Sequence, residues 1–391
     1  MEPVSNALWR INVVSPEFIR QLPSTGAIHR TIWQRIHIDP ILLLLLLMIC
    51  GYGLFVLYSA ADNHLIAMEK QGSFFAIGFF VMLAVAQISQ SHWRLLAPVI
   101  YGSGVILVIA VALFGEVSMG AQRWLAIPGL TRFQPSEILK IGLPLMLATY
   151  FHNRSIPPRF QHVFWSLIMI VLPVALIVEQ PDLGTGMLVM ISGVIVLFMA
   201  GLGWGYIITA LSAAAALGPV MWFFVMHDYQ RKRVLMLFDA ESDKLGAGWN
   251  IIQSQTAIGS GGWLGKGWQQ GTQSQLDFLP ESHTDFIIAV LSEELGYRGV
   301  LVLLSIYLLI VARGLWISLH AQETFGRLLG SAISITFFIY VFVNMGMVAG
   351  LLPVVGVPLP LVSQGGTAVV ILMIGFGMLM AISTEKKRSS Y

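Results

Sequence analysis

From Ile41 to Ala61 the chain carries no charged side chain, and apolar segments of similar length recur to its C-terminal end. A helix needs about 20 such residues to cross a hydrocarbon layer about 30 Å thick. Ten segments qualify or nearly so: residues 40–60, 71–88, 95–115, 134–151, 163–180, 186–203, 205–226, 285–312, 327–350 and 361–383. Inside hydrocarbon each backbone N–H must find its acceptor within its own segment, so these stretches predict helices. The ten-residue alternation of an outer-membrane barrel is absent. Only 11% of the 391 residues are charged, against about a quarter in soluble chains. A soluble enzyme, a disulfide scaffold and a disordered tail are thereby excluded. The predicted class is all-α: a polytopic integral membrane protein with about ten transmembrane helices and one long polar loop.

Lysine and arginine set the orientation. With the N-terminus inside, the inner segments hold Arg10, Arg20, Arg30, Arg35, Arg94, Arg154, Arg159, Arg313, Arg327, Lys386, Lys387 and Arg388, and the short outer loops hold only Lys70, Arg123 and Arg132. That bias obeys the positive-inside rule and returns both termini to the cytoplasm. Residues 1–32 read as a polar N-terminal extension, 33–391 as the membrane domain, and 227–284 as the long loop on the outer, periplasmic side. The first apolar segment is too long for a signal-peptide core and reads as an uncleaved span. A net charge of +2 offers no field for nucleic acid. Cys50, the single cysteine, reads as a small hydrophobe. No internal repeat is evident.

Polar residues within this frame carry the chemistry. In the long loop, Gly259-Ser260-Gly261-Gly262-Trp263-Leu264-Gly265-Lys266-Gly267 fails as a nucleotide phosphate loop: Ser260 and Gly267 stand where Gly and Ser or Thr are required. It is either a compact glycine turn or a set of backbone N–H groups facing a phosphate-bearing lipid headgroup. Beyond it, Pro280 breaks the chain, and Ser282 or Thr284 is placed to cap the next helix. Asp285 then falls in the first turn of that helix, at the outer membrane surface. It is either a helix-start acid favoured by the dipole or a base held where a headgroup would meet it. His283 reads as a hydrogen-bonding neighbour, since no second His or Cys lies at metal-ligand spacing.

Charges within a span cost at least about 2.5–3.5 kcal/mol each and face protein or water. Glu137 and Lys140 stand one turn apart at the head of the fourth segment, as a mutual ion pair or as cavity-lining groups. Asp182 ends an outer loop. Glu293 and Glu294 lie two turns below Asp285, with Arg298 as their expected partner. A membrane cavity lined by these groups suits a polar substrate with a lipid tail, and equally an ion or proton path. Arg123 with Trp124, and Arg231, Lys232 and Arg233, are either solvated surface or phosphate-binding groups. On the residues alone, transporter and enzyme stand nearly level.

Four motifs in order narrow the choice: Arg132-Phe133-Gln134-Pro135-Ser136-Glu137, Gln180-Pro181-Asp182-Leu183-Gly184-Thr185, Leu279-Pro280-Glu281-Ser282-His283-Thr284-Asp285-Phe286, and the run from Pro353 to Gly366. With these the chain resembles the SEDS family, the cell-wall synthases of shape, elongation, division and sporulation, over roughly residues 33–385. Residues 226–231 and 271–276 are more similar to the rod-shape branch than to the division branch. The family usually shows Ser-Tyr-Gly-Gly-Ser where this chain has Ser363-Gln364-Gly365-Gly366-Thr367.

The resemblance implies a peptidoglycan glycosyltransferase of the bacterial inner membrane that polymerises lipid II during elongation. It implies that Asp285 is the catalytic carboxylate and that Glu137 and Lys140 are the family's paired membrane charges. With Asp182, Arg123, Trp124, Arg231, Arg233, His283, Ser363, Gly365 and Gly366 they make up the candidate site. Implied partners are a class B penicillin-binding protein transpeptidase, other elongation-complex membrane proteins, lipid II and membrane lipid, without nucleic acid. A divalent cation, Mg²⁺ or Mn²⁺, is the candidate cofactor, although no ligand cluster is visible. The rival readings are a lipid II flippase and a non-enzymatic scaffold of the wall-synthesis complex.

Overall fold

A computed structural model describes residues 32–61, 64–118, 121–125, 133–226, 228–239, 247–275 and 281–385. Outside the described residues lie 1–31 of the N-terminal extension, Arg132, His227, the break at Leu279-Pro280, and Lys386 to Arg388; the side chains of Lys232 and Arg233 are likewise not described.

A one-turn α1 (Ile32–Arg35) precedes α2 (Pro40–Ala60), α3 (His64–Ala86) and α4 (Gln90–Phe114). A small hairpin, β1 (Glu116–Ser118) and β2 (Ala121–Trp124), leads to α5 (Ser136–His152), α6 (Phe160–Glu179), α7 (Leu183–Met199) and α8 (Trp204–Val220). The last runs on into a π-helical turn, Met221–Val225. The long polar stretch is not irregular as its composition implied: it contains α9 (Asp228–Phe238), α10 (Ala247–Gly261) and α11 (Thr272–Gln275). Helices α12 (Ile287–Leu319), α13 (Thr324–Val348) and α14 (Gly366–Ser383) complete the bundle. Each of the ten apolar segments has become a helix.

The local chemistry explains the ends. Asp39 caps α2 by accepting from the Leu42 N–H at 2.9 Å, with Pro40 in the first helical position, where its missing N–H is not needed. The same carboxylate pairs with Arg313 of α12 at 2.6 Å, joining α2 to α12. Phe80, Leu95 and Phe114 point outward at 74–79% exposure. Lipid tails solvate such side chains at no cost, whereas water would not. Inward, Leu46, Met82, Leu143, Phe151, Phe325 and Phe337 fill a continuous core, and Cys50 is buried and free.

Among the described residues, eight helices are long and apolar enough to cross a membrane. Two further, central helices, α5 and α7, are shorter, with 17 residues each, or only about 25 Å of rise. They pack against each other and against α13. Glu137 and Asp182 stand at the N-terminal ends of these two. Helix α8, by contrast, buries none of its residues.

Helix α12 is broken at Gly296, whose φ of 66° and ψ of −165° no side chain tolerates well. The break frees backbone groups that must be paired again. Lys266 N–H donates to the Glu293 carbonyl at 2.9 Å, Gly267 N–H to that of Glu294 at 3.0 Å, and Tyr297 N–H to that of Gly262 at 2.9 Å. The glycine-rich segment is therefore a compact turn seated in the kink. These N–H groups are spent on α12, which removes them from the headgroup reading.

Candidate active site

Phe286 is the N-cap of α12 and makes no side-chain cap. The expected capping by Ser282 or Thr284 does not form, because nearer carbonyls take both hydroxyls. Ser282 donates to Ala60 O at 2.9 Å and Thr284 to Glu281 O at 3.2 Å. Asp285 consequently sits in the turn before the span rather than in its first helical turn. Its carboxylate is half-buried and takes no hydrogen bond or ion pair among the described residues. Burial, with the neighbouring Glu281 charge adding to it, pushes its pKa up to about 6. A helix-start acid would be lowered by the dipole, so the plain capping reading is not what this environment produces.

Since the carboxylate has no partner there, its position comes from the backbone. Asn344 Nδ2 of α13 donates to Asp285 O at 2.9 Å and to Val357 O at 2.7 Å. Ser363 Oγ donates to Thr284 O while accepting from Leu359 N–H at 2.9 Å. Gln364 N–H donates to His283 O at 3.0 Å. Three successive carbonyls, of His283, Thr284 and Asp285, are thus tied to the segment 353–365 or to Asn344. A Cβ at Gly356 (φ +71°) would lie 3.5 Å from Asp285 Oδ2, so the carboxylate faces that glycine. Gln71 of α3 holds the next residues, donating to Ser363 O at 3.2 Å and accepting from Gly365 N–H at 3.3 Å. Gly366 opens α14 against the ring of Phe74.

The second cluster lies at the head of α5. Lys140 pairs with Glu137, and its ammonium stands 5.0 Å from the centre of the Tyr340 ring. Both line a cleft between α5, α13 and α14, together with Tyr340, Ser363 and Gly365; most of its wall is apolar. The Ser363 hydroxyl reaches Thr284 O, so the lip of this cleft is one residue from Asp285. Asp182 caps α7, accepts from Gln134 Nε2 at 2.6 Å and lies 3.7 Å from Arg123, which also donates to Pro181 O. Trp124 is half-buried opposite Glu116 in the hairpin, which places Arg123 over this loop.

Other expectations need correction. Glu293 and Glu294 do not line the cleft with Glu137 and Lys140. Glu293 is paired with Lys266 at 2.6 Å, and Glu294 accepts from Ser59 Oγ at 2.6 Å. Arg298 is not their partner: it donates to Leu264 O at 3.3 Å, because the break at Gly296 turns it off their face. The hydrogen bonds described for Arg231 run to Trp222 O and Phe223 O at the end of α8, not to the Asp285 turn. Tyr340, Asn344 and Gln71 were missed. The signal for the first two was present in the sequence as polar groups within an otherwise apolar span, where such groups are expensive.

Among the described residues no three His, Cys, Asp or Glu side chains gather as metal ligands. The described residues therefore supply no donor set that fits a protein-held metal.

A family model described as cell cycle protein, for FtsW, RodA and SpoVE, matches residues 38–388. The chain belongs to the FtsW/RodA/SpoVE family. It is 52% identical to peptidoglycan glycosyltransferase MrdB of Escherichia coli K12, over 92% of this chain and 97% of that protein. To a probable peptidoglycan glycosyltransferase FtsW of Geobacter sulfurreducens it is 36% identical, over 89% of this chain and 96% of the relative. Rod shape determining protein RodA of Thermus thermophilus superimposes with a TM-score of 0.67 at 27% identity, covering 88% of this chain and 96% of that one. A chain from a peptidoglycan synthase complex, described for its coordination of polymerization and crosslinking, superimposes with a TM-score of 0.78 at 30% identity, covering 88% and 97%. Family and polytopic helical fold are thus as the motifs implied.

Proposed function

We propose that this chain, a peptidoglycan glycosyltransferase, uses Asp285 as the general base that polymerises lipid II into glycan strands during cell elongation. The observation that carries the role of Asp285 is its carboxylate: half-buried, unpartnered among the described residues, and with its pKa pushed up to about 6. Such a group is ionised at neutral pH yet basic enough to take a proton. In the step proposed, the O–H bond of the acceptor's 4-hydroxyl breaks and its proton passes to Asp285. The oxygen attacks the anomeric carbon of the donor sugar, and the bond from that carbon to the undecaprenyl pyrophosphate breaks with inversion, giving a β-1,4 linkage. Pyrophosphate leaves without protonation, so one carboxylate suffices where a glycosidase needs two.

The cleft beside Asp285 supports a lipid-linked sugar. Its wall is mostly apolar, and Glu137, Lys140, Ser363 and Gly365 are among the polar positions that line it. Arg123, 3.7 Å from Asp182, is the cation we assign to the departing pyrophosphate. We further propose that both termini face the cytoplasm, that the Asp285 end of α12 faces the periplasm, and that a class B penicillin-binding transpeptidase pairs with this chain in the inner membrane. The match to a chain of a synthase complex supports that partnership.

The test is glycan polymerisation by the purified full chain in detergent with lipid II. Asp285→Asn lowers the rate by about 10²–10⁴-fold at unchanged expression. Polymerisation by that variant at the wild-type rate would overturn the assignment. A flippase would yield no glycan chains in the same tube.

A further inference from the structure

We infer that Asn344 is a positioning residue for Asp285, setting the separation between the turn that carries the carboxylate and the glycine loop that faces it. The inference rests on the reading of Asp285 as the base. Asn344 lies in Val341-Phe342-Val343-Asn344-Met345 of α13 and is 0% exposed. A buried primary amide in apolar surroundings is retained only for what it bonds. Its Nδ2 holds two carbonyls, Asp285 O at 2.9 Å and Val357 O at 2.7 Å. Its Oδ1 is buried with no partner among the described residues.

That asymmetry fixes the reading. Turned the other way, the amide would set its oxygen against two carbonyl oxygens and lose both bonds, so the donor end faces them. An amide serving only to knit the bundle would use both of its ends. This one uses its donor end alone, on the two strands of backbone that meet at the base.

Asp285 needs such a group because nothing described grips its carboxylate. The turn 281–286 supplies the side chain, and Gly356, next to Val357, supplies the wall it faces. Ser363 and Gln364 tie down Thr284 and His283, the two residues before the base. Asn344 alone among these ties holds the carbonyl of Asp285 itself, and with the same nitrogen the residue after Gly356. Proton transfer is sensitive to displacements on the order of 1 Å. The joint that limits such displacement is therefore this one side chain, which touches neither substrate nor the reacting atoms.

The experiment measures kcat, KM and the pH–rate profile of glycan polymerisation by the full chain in detergent, with a melting curve for each variant. Asn344→Leu keeps the volume and removes the donors. It is expected to lower kcat by about 10- to 100-fold while KM stays within about threefold. Its acidic limb moves down by about one pH unit, as a loosened turn admits water to the carboxylate. Asn344→Ser keeps one donor and falls between wild type and Leu, and it is the variant to read should Asn344→Leu not fold. Asn344→Asp, neutral at so buried a site, keeps one O–H donor to the carbonyls and is expected to behave as Asn344→Ser does. A folded variant with wild-type kcat, or one whose kcat falls with the acidic limb unmoved, overturns the inference. Asp285→Asn is run alongside. If Asp285→Asn polymerises normally, the base reading itself has failed. If it is inactive while Asn344→Leu behaves as wild type, only the positioning role has failed.

Discussion

Glu293, wholly buried in α12, holds the ammonium of Lys266 at 2.6 Å and accepts the N–H groups of Thr272 and Gln273 at 2.8 and 3.0 Å. This carboxylate fastens the segment 266–273 to the broken helix. Removing one partner of a buried pair leaves the other charge uncompensated, usually at about 3–5 kcal/mol. Lys266 is partly exposed, so Lys266→Met is expected at the low end, about 3 kcal/mol. The double variant Lys266→Met with Glu293→Gln recovers part of that, because glutamine still accepts the two backbone N–H groups. Thermal melts in detergent measure both, and a single variant melting like wild type would refute the fastening.

The same kink gives a second test. A Cβ on Gly296 would meet Gly265 N at 2.3 Å, and the φ of 66° would be strained for any L-residue. Gly296→Ala must displace the glycine turn or straighten α12. Backbone strain of this kind costs about 1–3 kcal/mol before any clash is counted. The expected result is a lower melting temperature together with faster protease cleavage between residues 262 and 270 than in wild type. A variant as stable and as resistant as wild type would show that the turn does not depend on the break.

Glu137 and Lys140 shape the cleft as a pair, and Tyr340 gives that pair a direction. Glu137→Gln or Lys140→Met leaves a lone buried charge and costs about 3–5 kcal/mol. The exchange Glu137→Lys with Lys140→Glu restores opposite charges but removes the cation from the Tyr340 ring, which stands 5.0 Å away. That contact is worth about 0.5–2 kcal/mol. The exchanged protein should therefore melt between wild type and the single variants and keep measurable polymerisation. A well-folded exchange with no polymerisation at all would assign one of the two charges to the substrate instead.

What the sequence makes legible here is whatever hydrocarbon demands. The ten apolar stretches mark ten helices, but apolarity marks the membrane and not the helix ends. Helix α3 begins at His64, seven residues before its apolar stretch, because Glu69, Lys70 and Gln71 are also good enough helix formers. Helix α14 starts only at Gly366, because Pro358, Pro360 and the bridging hydroxyl of Ser363 hold the preceding residues in another path. Side-chain partners were legible only where they are sequence neighbours, as with Glu137 and Lys140. Glu294 and Arg298 have the spacing of a helical pair, yet Gly296 between them breaks the helix that would join them. Lys266, the partner actually used by Glu293, lies 27 positions away. Asn344 is conspicuous as an amide in an apolar helix, but its role exists only once the segments 281–286 and 353–365 fold over it.

Asp285 couples the proposed chemistry to stability in a direction that can be measured. Its folded pKa of about 6 lies above the ordinary carboxylate value of 3.8. Between those two pH values the folded state binds more proton than the unfolded state, so stability falls as pH rises through this window and stays lower above it. A shift of that size corresponds to on the order of 1–3 kcal/mol, taken low because the group is only partly buried. Asp285→Asn, the variant expected to lose polymerisation, has no such penalty. Its melting temperature should match wild type near pH 4, draw ahead as the pH rises from 4 to about 6, and keep a constant lead from there to pH 8. The pH–rate profile of the wild-type enzyme should rise through the same window, since the base must be ionised to act. A variant that is equally stable at every pH, alongside a wild-type rate that is flat from pH 5 to pH 8, would mean that this carboxylate is neither raised nor used.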